Sequence, residues 1–379
     1  MRTLLVSPWA PVALAFARSL GRRGIGVHLL QPTAQLHPGW SYSAIEGTTR
    51  LPETLVDTDA GIDWIHALVT RLGASALVAV RDRDLLWIAA HRDRFEPACR
   101  ILAPTPEWLA PRLSKRWQID LARRAGLAVL PTHEVARPED ADRVPASDFP
   151  LVLRPDAEGA ADPVFKARLV TSRDELRRLL QGCRRLDAPL LAQPFQRLPN
   201  LLVHGARTVA GEVIASRCYL VPRKLDGVTL ALEPMPFPHG LEERCRHFAA
   251  QAGLAGCYHF EFLFSPADAR AVFLEINVRL GGTTDKVVRT GFDEPALLLQ
   301  AYGLLPAPPP RRESRRRVVN KRVLLKHVVR ALKGTLTELD YPDTSRPRHV
   351  LASCRDLLVA KDAIFEWGDV SGSLRFHLR

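Results

Sequence analysis

The sequence predicts an α/β unit followed by a larger α+β unit. Three observations carry that expectation. Over the first 105 residues, short apolar runs alternate with amphipathic helical stretches. From residue 114 onward, strands come in adjacent pairs with few helices between them. The last pair, "GCYHFEFLFSPADARAVFLEINVRLGG" over 256–282, ends in polar side chains spaced two apart. Strands joined by crossover helices require a parallel sheet, whereas strands joined by tight turns require antiparallel ones.

In chain order, "TLLVS" is a strand, "PVALAFARSLGRRG" a helix closed by Gly24, and "IGVHLLQ" a second strand. The intervening turn, "SPWAPVA", has no GxGxxG, so a dinucleotide-binding reading loses its main support. A helix near 61–72, a buried strand "ASALVAV", a helix "DLLWIAAHRDRF" and a short strand "CRILAP" continue the alternation to about residue 105. Next come a helix at 114–125, a strand entered through "LAVLP", and "DFPLVLRPD" with "PVFKARLVTS" as its hairpin partner. "SRDELRRLLQGC" is a helix capped by Thr171 or Ser172. "PLLAQPFQR" is a strand interrupted by Pro194, and 201–224 forms antiparallel strands about a Gly-containing turn. A helix over 239–254 leads into the final pair, and "PAPPP" at 306–310 is a stiff break.

At 379 residues, with 46% hydrophobic and 25% charged, the chain has the length and balance of two or three globular domains. No apolar run approaches the roughly 20 residues of a membrane span. The N-terminal stretch is interrupted by Pro8 and Pro11 and leads into a second strand, so it reads as β-α-β and not as a targeting segment. Six cysteines without CxxC or Cys/His ligand spacing point to a reducing, cytoplasmic setting and away from structural zinc. The net charge of +12 is uneven: residues 311–330 hold nine Lys/Arg and one Glu. Basicity is thus a local tract, and nucleic acid is disfavoured as a partner.

On a strand, residues two apart share a face, so Glu275, Asn277 and Arg279 project together. A turn near 266–269 brings Glu261 opposite Glu275. Neighbouring carboxylates repel unless cations lie between them. Carboxylate and amide oxygens suit Mg²⁺, and a guanidinium suits phosphate. The plainer reading of the same residues is a half-buried strand with a polar solvent face.

With these residues on the page, the sequence resembles the ATP-grasp superfamily, in the branch of carboxylate–amine ligases related to carbamoyl-phosphate synthase and biotin carboxylase. The "SK" helix entry, "FPLVLRP", "LLAQPFQ" and above all "EFLF…FLEINVR" carry the resemblance, which covers nearly the whole chain. It implies a Rossmann-like preATP-grasp domain over 1–105 and two nucleotide-clasping lobes. These are a small lid lobe over 106–192 and a C-terminal lobe with the metal site over 193–305. A basic helix and C-terminal strands over 306–379 complete the fold. It implies Mg²⁺, with Mn²⁺ as the alternative, on Glu261, Glu275 and Asn277. Arg279 would face the reacting phosphoryl group and Lys224 the γ-phosphate. Lys115 and Arg154 would reach the nucleotide phosphates, and Gln193, Pro194, Phe195 and Gln196 would form the hinge against the adenine. The activity implied is ATP-dependent joining of a small-molecule or peptide carboxylate to an amine through an acyl phosphate, in a chain that can pair as a homodimer.

The chain departs from the family pattern in several places. Arg154 stands where lysine is usual, and Val278 replaces the proline of "NPR". The lid loop "DAEGAADPVFKA" has one glycine, Gly159, and Lys166 is its candidate substitute contact to phosphate. The hinge reads Gln-Pro-Phe-Gln where an acidic residue is expected, and Pro194 has no N–H to give. These departures support a second reading, a nucleotide- or partner-binding homologue without turnover that uses its basic helix.

Other residues read as structural. His259 lies on the metal strand pair, where a histidine usually packs or is solvated. Asp285 and Lys286 read as solvated loop charges and Arg223 as facing away from Lys224. In the basic tract, Val318, Leu325, Val329 and Leu332 define the expected packed face of an amphipathic helix. The segment "IFEWGDVSGSLRFHL" reads as the last strands.

Overall fold

A computed structural model of the chain describes residues 1–8, 10–32, 45–96, 98–307, 313–340 and 345–377. Residues 308–312, with most of the proline-rich break and the first two arginines of the basic tract, lie outside them.

The first hundred residues form a five-stranded parallel sheet in the order Ile45–Leu51, Gly26–Pro32, Arg2–Val6, Ala76–Ala79, Arg100–Ile101. Its central strands are apolar on both faces because helices cover both sides: Leu4, Leu5, Val6, Leu77 and Val78 are all buried. The helix Asp59–Leu72 starts where the Thr58 hydroxyl accepts from the Gly61 N–H, and it ends at Gly73 in the left-handed region. "DLLWIAAHRDRF" divides at Ala90–His91 into two helices, Asp82–Ala89 and Arg92–Phe95. The strand order reverses about Arg2–Val6 and Ala76–Ala79, so the crevice beyond their carboxyl ends is the natural ligand edge of this sheet.

Three further sheets follow, the smallest only the pair Ala161–Asp162 with Arg185–Leu186. A four-stranded antiparallel sheet runs Arg168–Val170, Leu151–Arg154, Leu190–Pro194, His133–Val135. The expected hairpin partner of "PLVLR" is in place, and Ser172 caps the helix Arg173–Gly182 by accepting from the Glu175 N–H. An eight-stranded sheet is built on Val228–Met235, Val213–Leu225, Asn200–Arg207, Gly256–Ser265 and Arg270–Asn277, all antiparallel. Ala128–Val129 adds to one edge in parallel, and Val318–Val319 with Lys361–Asp362 to the other. A cluster of Phe248, Phe260, Phe262 and Phe273 fills the space between this sheet and the helix Leu241–Gln251.

The C-terminal region departs from expectation twice. Val318 lies in a strand, Asn320 caps the helix Lys321–Lys333 by accepting from the Val323 N–H, and the packed face is Leu324, His327, Val328 and Ala331. Leu325, Val329 and Leu332 are exposed, because counting Val318 into the helix shifts the phase. The last segment is not a pair of strands. After Lys361–Asp362 it forms a helical turn Trp367–Asp369 and the helix Val370–His377. Asp369 accepts from the Gly372 N–H and pairs with the buried Arg18, which holds this end on the first helix. No helix among the described residues is long and apolar enough to cross a membrane.

Candidate functional site

Glu261 and Glu275 face each other directly across the ladder of Gly256–Ser265 and Arg270–Asn277, with a bulge just after Glu261. Two residues on, Asn277 pairs with His259, and its amide Nδ2 donates to Glu261 Oε1 at 3.4 Å. Three oxygen-bearing side chains thus converge at one end of a strand pair whose opposite face packs into the phenylalanine core.

Cations from three different elements surround these carboxylates. Lys115, the first residue of the helix Lys115–Arg124, places Nζ 4.0 Å from Glu275 Oε2. Arg154, at the end of Leu151–Arg154, places Nη1 3.5 Å from the same oxygen. Its Nη2 donates to Gln193 Oε1 at 2.7 Å and to the Leu274 carbonyl at 3.2 Å. Burial pushes the Arg154 pKa down, and Glu275 and Glu261 pull it back up. Burial likewise lowers the Lys224 pKa, opposed by Glu261, Glu275 and Asp340. For Glu261, burial favours the neutral acid, but His259, Lys224 and Lys166 outweigh it and hold the carboxyl well below its usual range. Lys166 is exposed, and its charge reaches Glu261 from the lid segment.

Arg279 lies at a different place from that cluster. Its guanidinium grips Asp82 through Nε and Nη2, at the first turn of the helix that follows the central strand Ala76–Ala79. It thereby joins the end of the strand Arg270–Asn277 to the carboxyl edge of the N-terminal sheet, with Glu158 and Glu275 adding to the negative field around it.

The hinge is engaged within the protein. The Gln193 side chain bridges Arg154 and the Thr132 hydroxyl. The Phe195 N–H donates to the Pro150 carbonyl at 2.8 Å, and the Gln196 carbonyl accepts from the Leu198 N–H at 2.9 Å. Gln196 Oε1 is buried without a hydrogen-bond partner among the described residues. Pro194 has no N–H and Phe195 has given its own away, so main-chain donors at this end are scarce.

Asp285 and Lys286 are not solvated. Both are buried on the helix Thr284–Thr290 and pair with each other at 3.1 Å. Arg223 turns away from the carboxylates, as its neighbour's position requires, and bonds the buried Asp356 at 2.9 Å. All six cysteines are free thiols.

The donor set fits a hard divalent cation: two opposed carboxylates and an amide oxygen leave most of a coordination sphere to phosphate and water. Among the described residues, no group of three His, Cys, Asp or Glu could hold a metal by itself, which sets this arrangement apart from an all-protein metal cage.

Solved structures share this architecture at low identity. Biotin carboxylase of Campylobacter jejuni, in complex with β,γ-ATP, superposes with a TM-score of 0.64 at 16% identity, over 83% of this chain and 74% of that one. An ADP complex of N5-carboxyaminoimidazole ribonucleotide synthetase superposes with a TM-score of 0.65 at 12% identity, over 94% and 96% of the two chains. The L-amino acid ligase of Bacillus licheniformis gives a TM-score of 0.60 at 16% identity, over 79% and 73%. The chain has the ATP-grasp fold. No family model matches the sequence, and neither does any curated protein.

Sequence reasoning missed four supports of this cluster. Gln118 is buried on the helix that carries Lys115. Its Oε1 accepts from the Ile276 N–H and its Nε2 donates to the Ile276 carbonyl, both at 3.0 Å, pinning the backbone between Glu275 and Asn277. Asp156, in the lid segment, accepts from the Arg116 N–H and the Ser114 hydroxyl at the start of the same helix. Asp82 holds Arg279. Behind Glu261, the His259 ring stacks at 4.9 Å on His204, whose Nδ1 lies 2.6 Å from the buried Glu294. The only local signal for any of these was the alternation that places His259 two residues before Glu261.

Proposed function

We propose that the protein is an ATP-dependent ligase that joins a carboxylate to an amine, releasing ADP and phosphate. The observation that carries this reading is the opposed pair Glu261 and Glu275, with Asn277 beside it and Lys115, Arg154 and Lys224 around it. Left to themselves, two half-buried carboxylates would repel, and three cationic groups around two anions would be in excess. A Mg²⁺–nucleotide brings both the cation the acids need and the anions the bases need. The fold supports the same reading, and so do the nucleotide complexes among the similar structures. The division at 1–105, 106–192, 193–305 and 306–379 goes with it.

In this reading Glu261, Glu275 and Asn277 hold Mg²⁺, which would neutralise phosphate charge. Lys115 and Arg154 would leave Glu275 to contact the phosphates, with Lys224 near the γ-phosphate and Lys166 as a further phosphate contact. A substrate carboxylate oxygen attacks the γ-phosphorus as the bond to the β,γ-bridging oxygen breaks and ADP leaves. An amine nitrogen then attacks the acyl carbon, phosphate departs with the C–O electron pair, and the amine loses a proton. In the same reading Arg279, beside the crevice of the N-terminal sheet, would face the reacting phosphoryl group. Catalysis here is charge neutralisation and positioning, and it uses no Ser or Cys nucleophile. Gln193 through Gln196 lie along the adenine side.

The test is ADP release from Mg²⁺–ATP in the presence of pooled carboxylic acids and amino acids, with condensed products read by mass spectrometry. ADP formation that needs both an acid and an amine, with a matching amide mass, supports the ligase. The tie between Arg279 and Asp82 favours the second reading, a nucleotide-binding protein without turnover. Nucleotide binding with no ADP release across the whole pool would replace the ligase by that reading.

A further inference from the structure

The exposed apolar side chains of the C-terminal region have no role in the site above. Lys321–Lys333 and Arg346–Val359 form an antiparallel helical hairpin. His327 and His349 meet at 2.7 Å between them, and Arg346 Nε donates to the Ala331 carbonyl near one end. Both helices pack their inner faces on the edge of the large sheet, through Val323 and Leu324 on one and Leu357 with Ala360 on the other, against Leu230, Ala231 and Val319. Their opposite faces therefore form one outer surface.

That surface is unusual in two respects. Leu325, Val329 and Leu332, at i, i+4 and i+7, are 57%, 43% and 64% exposed, and Leu351 and Leu358, seven apart, are 73% and 83% exposed. The charged residues exposed on the same two helices include Lys326, Lys333, Arg348 and Arg355. The only acidic residue in either helix is Asp356, which is buried and bound to Arg223 and Arg317. A solvent face of a helix pair ordinarily mixes both signs of charge and few leucines.

We propose that this outer face is a docking surface for an anionic lipid bilayer. Leucine and valine side chains would enter the headgroup boundary while lysine and arginine meet the lipid phosphates, the chemistry of an interfacial amphipathic helix. Three features favour a bilayer over a protein. The face presents two parallel ridges, and a bilayer needs no shape-matched knob to receive them. Its apolar residues are leucine and valine, types under-represented at protein hot spots. A second copy of the chain would bring the same positive charges against themselves in a two-fold contact.

The test is co-sedimentation of the full chain with vesicles of phosphatidylcholine alone and of phosphatidylcholine mixed with phosphatidylglycerol. We expect partitioning to the mixed vesicles stronger by a factor on the order of 10², falling as salt rises. Leu325→Glu/Leu332→Glu and Lys326→Glu/Lys333→Glu should each abolish most of it while leaving the thermal unfolding midpoint near that of the unaltered protein. All four positions are solvent-facing, so the substitutions leave the packed face intact. Failure to bind mixed vesicles overturns the proposal, and so does binding that the Leu325→Glu/Leu332→Glu protein retains. Sedimentation velocity supplies the remaining arm: a dimer that those same substitutions dissociate would assign the face to a second copy instead.

Discussion

The two ends of the cleft are built differently. At the proposed metal end, Glu261, Glu275 and Asn277 sit on paired strands, with side-chain cations from three other elements around them. At the hinge end, most groups that could read a base are already engaged, with Phe195 N–H on Pro150, the Gln196 carbonyl on Leu198 and Gln193 on Arg154 and Thr132, while Gln196 Oε1 has no partner among the described residues. The contrast teaches that charge and main-chain recognition change independently. An opposed carboxylate pair needs only register and surrounding bases, whereas an adenine site needs particular N–H groups left open.

Glu275→Gln keeps the volume but removes one charge from the proposed metal site. Turnover should fall by about 10³-fold with the fold retained by circular dichroism. Unchanged activity in a folded protein would remove Glu275 from the site. Arg279→Lys keeps the charge but not the planar fork, and a loss of about 10²-fold is expected. If the lysine protein runs within about twofold of the unaltered enzyme, a margin far below the loss of one well-placed donor, Arg279 serves only to hold Asp82.

The hinge predicts a weaker effect. Binding that rests on charge is screened over a Debye length of about 8 Å near physiological salt. Affinity for Mg²⁺–ATP should therefore drop by about tenfold from low to high salt, with ATP and GTP within about tenfold of each other. Calorimetric titration of both nucleotides checks this, and salt-insensitive binding with strong ATP preference would show a hinge that reads the base. The smallest change in turnover is expected for Gln118→Leu, which leaves three main-chain groups short of a partner. Stability should fall by about 1–3 kcal/mol in a urea titration. No loss would mean that the strand holds its position without the amide.

The sequence made the hairpin legible because its turn brings the two strands together and the period of two puts Glu261 and Glu275 near each other. The exact pairing was not legible: the register of the "SPADA" turn alone would set Glu261 opposite Leu274, and the bulge just after Glu261 moves it to Glu275. Lys115 was readable, as the first residue after the capping Ser114. Gln118 and Asp82 were not, since their partners lie 158 and 197 residues away and no local period encodes such a contact. The C-terminal errors have local causes. Treating Val318 as helical rotated the expected face of Lys321–Lys333, and the aromatic alternation of "IFEW" hid a helix that Asp369 and Ser373 hold in place. Asp285 and Lys286 looked solvated because each neutralises the other inside the protein, which sequence spacing does not reveal.

If the protein is the proposed ligase, the pairing of Arg279 with Asp82 bears on its selectivity. The guanidinium already has a resident counter-ion, supplied by the N-terminal sheet. Any incoming acid that seeks Arg279 enters an exchange with Asp82 rather than an empty place, and its apparent affinity is the difference between two ion pairs. Weak or badly oriented anions lose that exchange. The same act of displacement would release Asp82, at the mouth of the N-terminal crevice, as a free carboxylate for a positively charged amine. One ion pair would thus link arrival of the acid to preparation of the place for its partner.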